Sequence, residues 1–123
     1  MKYLFIAFTL YSFQVFAQAP GPAQVRQGKA ITALKAATAA LSAQDLSCSF
    51  NSQCVSVGVG SKACGGPTGY VIASKRNYNY GSVVTLANNS RVNEQRYNQR
   101  WEIMSDCRVM LAPNPRCVSR LCK

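Results

Sequence analysis

Six cysteines and no histidine limit the chemistry that this chain of 123 residues can perform. Histidine is the usual base beside a nucleophilic serine or cysteine, so such triads and dyads are excluded. Most catalytic zinc and copper sites, which use imidazole ligands, are excluded as well. The cysteines lack both the Cys-x-x-Cys spacing of thioredoxin-like sites and the paired short knuckles of zinc sites. We therefore predict no catalytic residue, no metal site and no cofactor.

Four carboxylates remain as acid–base candidates, at Asp45, Glu94, Glu102 and Asp106. Glu94 and Glu102 fall in a predicted helix, where a separation of eight residues places them about 12 Å apart along the axis. That distance is too long for the carboxylate pair of a glycosidase. A helical glutamate near arginine more often forms a surface ion pair. The sequence therefore indicates a protein that is not an enzyme.

The segment from Lys62 to Lys75, KACGGPTGYVIASK, raises the question of a phosphate-binding loop. A P-loop requires Gly-Lys-Ser/Thr at the start of a helix, whereas these glycines lead into an apolar run of strand length. We interpret the segment as a turn in which Gly65 and Gly66 adopt positive φ and Pro67 fixes the next dihedral angle.

Cys64 stands at the start of this turn, and we predict that it pins the turn to a distant part of the chain near Cys107. Such a loop is either a plain turn or a recognition surface, since its ordering entropy is lost before a partner binds. The candidate recognition residues are Lys62, Gly65, Gly66, Pro67 and Tyr70.

The first 17 residues, MKYLFIAFTLYSFQVFA, have the pattern of a cleavable secretory signal peptide. Cleavage is expected after Ala17, with Ala19 as the alternative. An even number of cysteines in a small exported chain indicates disulfides, and their spacing alone does not choose among the pairings. We predict a periplasmic or secreted protein with no transmembrane anchor after cleavage. The predicted disulfide cysteines are Cys48, Cys54, Cys64, Cys107, Cys117 and Cys122.

The formal net charge is +10, and it becomes +9 when Lys2 is removed with the signal peptide. This field favours anionic partners such as lipopolysaccharide, anionic lipid or, less favoured, nucleic acid, although it also serves solubility. Basic and aromatic residues alternate in the second half of the chain, which suits phosphate contacts and stacking. The candidate anion-binding residues are Lys75, Arg76, Arg91, Arg96 and Arg100.

Two N-terminal segments precede the cysteines. Residues 18–24 contain proline and glycine and are predicted to be a flexible tether. Residues 25–46 are rich in alanine, with Ile31 and Leu34 on one stripe, and predict a helix from Lys29 to Gln44. This helix has too few basic and aromatic residues for a membrane-active helix. It is expected to dock on the domain or to form a loosely held arm.

Residues 47–123 are predicted to form one disulfide-stabilised domain. The run QCVSVGVG alternates valine with small residues, which predicts a half-buried strand whose second face packs closely on a neighbour. Residues 69–74, GYVIAS, predict a second strand. The stripe containing Tyr97 and Trp101 predicts a long helix from Ser82 to Met104, with both aromatic residues on its core side.

The C-terminal region is predicted to be a hairpin of Arg108–Leu111 with Cys117–Leu121, turning at Pro113-Asn114-Pro115. The predicted fold class is therefore α+β. It is a small disulfide-stabilised domain with a short antiparallel sheet and one long helix, preceded by an alanine-rich helix.

The pattern C-x5-C … KACGGP-x-GY-x3-S … SDC … P-x-C-x4-C resembles a recurring set of small, exported, uncharacterised bacterial proteins with six cysteines. The resemblance covers Cys48 to Cys122, and its CGGP segment is the most specific part. It implies a shared disulfide-bearing α+β domain and no particular activity.

Two classes of function are consistent with these features. The first is an exported, non-enzymatic binding module, an inhibitor of or accessory to an envelope or secreted protein, which recognises its partner through the glycine-rich loop. The alternative is a cationic protein that binds lipopolysaccharide, anionic lipid or nucleic acid through its basic surface. Binding of the second kind collapses as salt rises, whereas binding of the first kind depends on salt only modestly.

Intact mass spectrometry tests the predicted export and oxidation. The exported chain is expected to begin after Ala17 and to take up no alkylating reagent before reduction. After reduction it is expected to take up six labels, one for each cysteine. A free thiol at Cys64 or an uncleaved N-terminus would contradict the prediction.

Overall fold

Two long helices, two strand pairs and three disulfides make up residues 18–123, the part of the chain that the computed structural model describes. The predicted signal peptide, residues 1–17, lies outside the described residues. The predicted α+β class is confirmed. The elements are α1 (Pro22–Ala43), a 3-10 turn (Asn51–Gln53), β1 (Cys54–Val59), β2 (Gly69–Ser74), α2 (Tyr80–Arg100), β3 (Cys117–Val118) and β4 (Leu121–Cys122).

Helix α1 begins earlier than predicted, at Pro22 rather than Lys29, so residues 22–24 are helical and not part of a tether. Proline suits the first helical position because its φ is already helical and its missing N–H would have no intrahelical partner. The helix ends at Ala43, with Gln44 as its C-cap, which is close to the predicted end.

Helix α1 docks along α2 and on β2, so it is part of the domain and not a loose arm. Small polar side chains form much of this contact: Thr38 and Ser42 are buried, and small residues let the backbones approach closely. The Ser42 hydroxyl donates to the carbonyl oxygen of Ile72 in β2 at 2.5 Å. Near the other end of α1, the indole N–H of Trp101 donates to Gln27 Oε1 at 3.0 Å.

Strands β1 and β2 pair antiparallel, from Cys54 opposite Ser74 to Val59 opposite Gly69, and both predicted strands are confirmed. Alternate residues of a strand point to opposite faces. The predicted close packing on the small-residue face of β1 is found at Gly58, where an added Cβ would lie 3.2 Å from the Cβ of Pro67.

Helix α2 ends at Arg100, before the predicted end at Met104. Glu102 adopts a left-handed conformation (φ 50°), and the N–H of Ile103 bonds back to the carbonyl oxygen of Asn98 at 3.0 Å. This is the usual geometry of a helix C-terminus, although glycine normally supplies the left-handed residue. Met104 therefore leaves the helical stripe, and its side chain is 92% exposed.

The predicted C-terminal hairpin is wrong in its pairing. Residues 108–111 form no strand, and the predicted strand 117–121 divides into β3 and β4, which pair with each other. The turn between them is Ser119-Arg120 rather than the prolines. Both residues have positive φ, 51° and 62°, as a two-residue turn with the twist of a hairpin requires.

All six predicted disulfide cysteines are paired, which confirms their assignment. The apolar core is small, and cross-links add stability where burial of apolar surface is limited. Cys48, Cys54 and Cys122 themselves are buried at one end of the sheet, where Leu46 and Ile72 pack on them. The pairs are Cys48–Cys117, Cys54–Cys122 and Cys64–Cys107.

Gly60 occupies the point where β1, α1 and α2 meet. Its φ is +71°, and an added Cβ would lie 2.0 Å from Thr68 Oγ1 and 2.6 Å from Lys35 Cε. Its N–H donates to the buried hydroxyl of Ser90 in α2 at 3.0 Å. No other residue type fits this position without displacing its neighbours.

Replacing Gly60 by alanine is expected to lower the free energy of unfolding by about 2 kcal/mol or more, since it combines a left-handed L-residue with overpacking. Urea unfolding with the disulfides intact measures the change. Gly81→Ala is the matched control, because Gly81 has open space around it and lies in the first turn of α2. It is expected to be neutral or slightly stabilising. Equal effects of the two substitutions would contradict the prediction.

Candidate functional site

The Cys64–Cys107 disulfide holds two surface segments side by side, with Cα atoms 5.3 Å apart, as predicted for Cys64. We call residues 60–68 the pinned loop and residues 104–111 the facing segment. The hydroxyl of Ser105 also accepts the N–H of Cys64 at 3.3 Å. The two segments are thus joined by a covalent bond and a hydrogen bond across 43 residues of sequence.

Gly65 and Gly66 of the pinned loop are exposed and have the predicted positive φ, 102° and 80°. A tight turn closes below them, where the N–H of Lys62 donates to the carbonyl oxygen of Gly66 at 2.8 Å. Pro67 and Tyr70, both half-buried, pack over Gly58 of β1. Four of the five candidate recognition residues are therefore gathered at one surface.

Lys62, the fifth candidate, performs a structural role. Its side chain is only 14% exposed, and its ammonium group donates to Asp106 Oδ1 at 3.1 Å and to the carbonyl oxygen of Arg108 at 2.6 Å. It is a second, polar clasp between the pinned loop and the facing segment. The pKa of Asp106 is lowered, first by the N–H of Arg108 and then by Lys62.

The facing segment carries apolar side chains that no other part of the described chain covers. Met104, Val109 and Leu111 are 92%, 84% and 86% exposed, and Met110 is partly exposed. A groove of about 430 Å³ runs between the two segments. Its lining includes Gly66, Pro67, Tyr70, Val109 and Met110. The sequence prediction missed this half of the surface because it placed residues 108–111 in a strand.

Glu94 is engaged on both oxygens. It forms an ion pair with Lys35 of α1 and accepts the N–H of Ser61 at 3.1 Å. The side-chain amide of Asn98 donates to the carbonyl oxygen of Ser61 at 2.7 Å, so both backbone groups of Ser61 bond to side chains of α2. Glu102, in contrast, is exposed at the helix end. The two glutamates therefore have separate structural surroundings and form no acid–base pair.

The candidate anion-binding residues divide between two ends of the molecule. Arg91, Arg96 and Arg100 are exposed on α2, where Arg100 lies 4.8 Å above the ring of Trp101. Lys75 and Arg76 follow β2 at the opposite end of the sheet. The structure therefore does not assemble the five residues into one site.

The aromatic residues expected beside the arginines are used for helix packing. Tyr97 and Trp101 are half-buried, and their polar atoms bond to Gln24 and Gln27 of α1. Tyr78 is 99% exposed but lies before α2, away from this face. The core-side prediction for Tyr97 and Trp101 thus agrees with their contacts, and α2 presents no row of free aromatic rings.

The sulfur atoms of Cys48, Cys54 and Cys122 lie within 4.8 Å of one another. Such a cluster suggests a metal site, but metals bind thiolates and each of these sulfurs is already in a disulfide. The cluster is instead the contact between two neighbouring disulfides in the core.

No protein-family model, curated protein or solved structure matches the chain. Among residues 18–123, no helix is both long and apolar enough to cross a membrane. Three disulfides in so small a domain are compatible with an oxidising, extracytoplasmic compartment.

Asp106 is expected to titrate below its ordinary pKa of 3.8. Because the pKa of Asp106 is lowered in the folded protein, its ionised carboxylate stabilises the contact between the facing segment and the pinned loop at neutral pH. This stabilisation is lost as the pH falls below 3.8 and Asp106 becomes protonated. In Lys62→Met the pKa is expected to rise only part of the way, because the N–H of Arg108 remains. Carboxyl NMR shifts measure both values.

Lys75→Met is the matched control for this titration, since exposed Lys75 makes no contact with Asp106. The pKa of Asp45 gives an internal reference, because its lowering comes first from Ser47 at the other end of the domain. A wild-type pKa at or above 3.8, or equal shifts in the two lysine variants, would contradict the assignment of Lys62 as a clasp.

Proposed function

We propose that the protein is an exported, non-enzymatic binding module that inhibits or assists a secreted or envelope protein. Its recognition surface consists of the pinned loop and the facing segment. The observation that carries the proposal is the exposed apolar side chains of the facing segment, held beside the glycine turn by the Cys64–Cys107 disulfide.

Exposed apolar residues that are contiguous mark binding surfaces more often than isolated ones do. Met104, Val109 and Leu111 are exposed within one short segment, and Val109 and Met110 line the groove beside the glycine turn. The cores of protein interfaces are enriched in methionine, which fits Met104 and Met110 in this segment. A partner with an apolar cleft is therefore the kind of protein that this surface suits.

The clasps around this surface lower the cost of binding. A flexible loop loses conformational entropy when it binds, whereas a loop fixed by a disulfide and by Lys62 has lost it already. The glycine turn adds a close-approach point, since no side chain covers the backbone at Gly65 and Gly66. Shape and rigidity, rather than a reacting group, are the properties that the two segments share.

Export is supported by the signal-like first 17 residues and by the three disulfides. The non-enzymatic part of the proposal is supported by the use of Glu94. A general acid or base needs a lone pair or proton available to substrate. The Glu94 side chain is only 12% exposed and its oxygens contact Lys35 and Ser61, and the chain has no histidine to take its place.

Site-specific photo-crosslinking in the cells that produce the protein tests this proposal. A photoreactive side chain at Leu111 is expected to capture one protein partner. The same side chain at Val84, which is exposed and apolar on α2, is the control. The captured yield is expected to survive increased salt, because the contact is mainly apolar.

The captured partner is then purified, and its activity is measured with the wild-type protein and with a Val109→Ser/Leu111→Ser variant. The wild type is expected to change that activity and the variant to have lost most of the effect. Equal capture at Leu111 and Val84, or capture that disappears with salt, would overturn the proposal.

A further inference from the structure

The outward face of the C-terminal hairpin combines basic and apolar side chains. Cys117 and Cys122 are opposite each other in the register, and both point inward to disulfide partners. Because side chains alternate along a strand, the flanking residues point outward together. Arg116 pairs with Lys123 through two backbone hydrogen bonds, and Val118 pairs with Leu121. The outward set is Arg116, Val118, Leu121 and Lys123.

The outward apolar residues are accessible: Val118 and Leu121 are 48% and 45% exposed. Phe50 is 67% exposed and belongs to the turn beside the hairpin, where Asn51 Oδ1 accepts the N–H of Cys117 at 2.9 Å. Three accessible apolar side chains are thus present at this end.

Further cations adjoin the hairpin. Arg120 lies at its tip, and its carbonyl oxygen accepts the N–H of Cys48. Arg76 donates to the hydroxyl of Ser49 at 3.0 Å, which places it and its neighbour Lys75 beside the same segment. We call this region the hairpin end. Its basic residues are Lys75, Arg76, Arg116, Arg120 and Lys123.

Little negative charge balances these cations. The three ion pairs found among residues 18–123 involve Glu94 or Asp106, which lie at the other end of the sheet. Asp45 is the one side-chain carboxylate of the described chain near the hairpin, where it accepts the N–H of Ser47 at 2.9 Å. The hairpin end therefore has a local excess of positive charge next to accessible apolar side chains.

We propose that the hairpin end is a second binding site, which docks on a bilayer surface that contains anionic phospholipid. Cations attract the negatively charged headgroups, and apolar side chains beside them enter the boundary between headgroups and acyl chains. The two disulfides fix the hairpin before it docks, so the site requires no folding on the membrane.

The apolar residues favour a bilayer over nucleic acid as the occupant. Binding of single strands relies on aromatic rings for base stacking. Among residues 18–123, the exposed aromatic rings at this end are limited to Phe50 and Tyr78, which follows Arg76. In contrast, Val118 and Leu121 on the hairpin itself are aliphatic and suit acyl chains. This site is separate from the pinned loop, since β1 runs from Cys54 to Val59 between them and spans roughly 17 Å.

Co-sedimentation with vesicles tests the docking site. The full exported chain is expected to bind vesicles of phosphatidylcholine containing phosphatidylglycerol, and to bind those of phosphatidylcholine alone far more weakly. Arg116→Gln/Lys123→Gln is expected to lower the affinity by about twenty-five-fold, since removal of each cation lowers it by about fivefold. Arg91→Gln/Arg96→Gln removes the same amount of charge from α2, and it is expected to change the affinity for these vesicles by less than about threefold.

A second variant, Val118→Ser/Leu121→Ser, keeps every charge and tests the apolar part. It is expected to lose roughly tenfold in affinity. It is also expected to lose the binding that the wild type retains at high salt. Unfolding in urea and the absence of free thiols establish that each variant is folded, so that weaker binding reports on the surface itself.

Three results would overturn the proposal. Equal losses in the hairpin and α2 charge variants would assign the binding to net charge alone. Binding by Val118→Ser/Leu121→Ser that equals that of the wild type would mean that these apolar side chains do not contact the bilayer. Tighter binding to a single-stranded oligonucleotide than to the anionic vesicles, unaffected by that variant, would make nucleic acid the ligand.

Discussion

The Glu94 carboxylate joins three elements that share little apolar surface. One oxygen pairs with Lys35 of α1, and the other holds the N–H of Ser61 where β1 ends. A charge at a mostly buried position is costly unless it is paired and hydrogen-bonded, and here it is both. Ile31 and Val83 are the largest buried aliphatic residues on the two helices, so apolar packing between the helices is limited. The contacts of Glu94 therefore help to set the relative positions of the helix pair and the pinned loop, together with the Gly60–Ser90 and Trp101–Gln27 hydrogen bonds.

Local sequence patterns predicted the two strands of the sheet and the long helix. They did not predict the left-handed residues that end this helix and form the C-terminal turn. The strand before Gly60 and the strand 69–74 have alternation and bounding glycines in the sequence, and the structure follows them. The C-terminal turn has no such signal, because Ser119 and Arg120 adopt positive φ where asparagine or glycine is expected. Glu102, which follows α2, also has positive φ where glycine is the usual residue. Tertiary contacts and cross-links stabilise these conformations, and such contacts are not visible in a local pattern.

Local sequence patterns likewise predicted one half of the candidate site and missed the other. The glycine turn was predictable because Gly65, Gly66 and Pro67 have specific backbone preferences. The facing segment was not, since its apolar residues have the composition of a strand and only the folded chain leaves them exposed. The two proposed surfaces lie at opposite ends of one short sheet. A domain that docks through its hairpin would therefore present the pinned loop away from the bilayer, towards a partner in solution.

Each disulfide joins the N-terminal half of residues 18–123 to their C-terminal half, over separations of 69, 68 and 43 residues. Synthesis delivers the N-terminal half first, so Cys48, Cys54 and Cys64 emerge together before any of their native partners. Three thiols form at most one bond among themselves, and that bond must later be exchanged by attack of another thiolate. No covalent step can secure the N-terminal half early. The three native cross-links are complete only after Cys122 has been synthesised, so their oxidation follows synthesis of nearly the whole described domain.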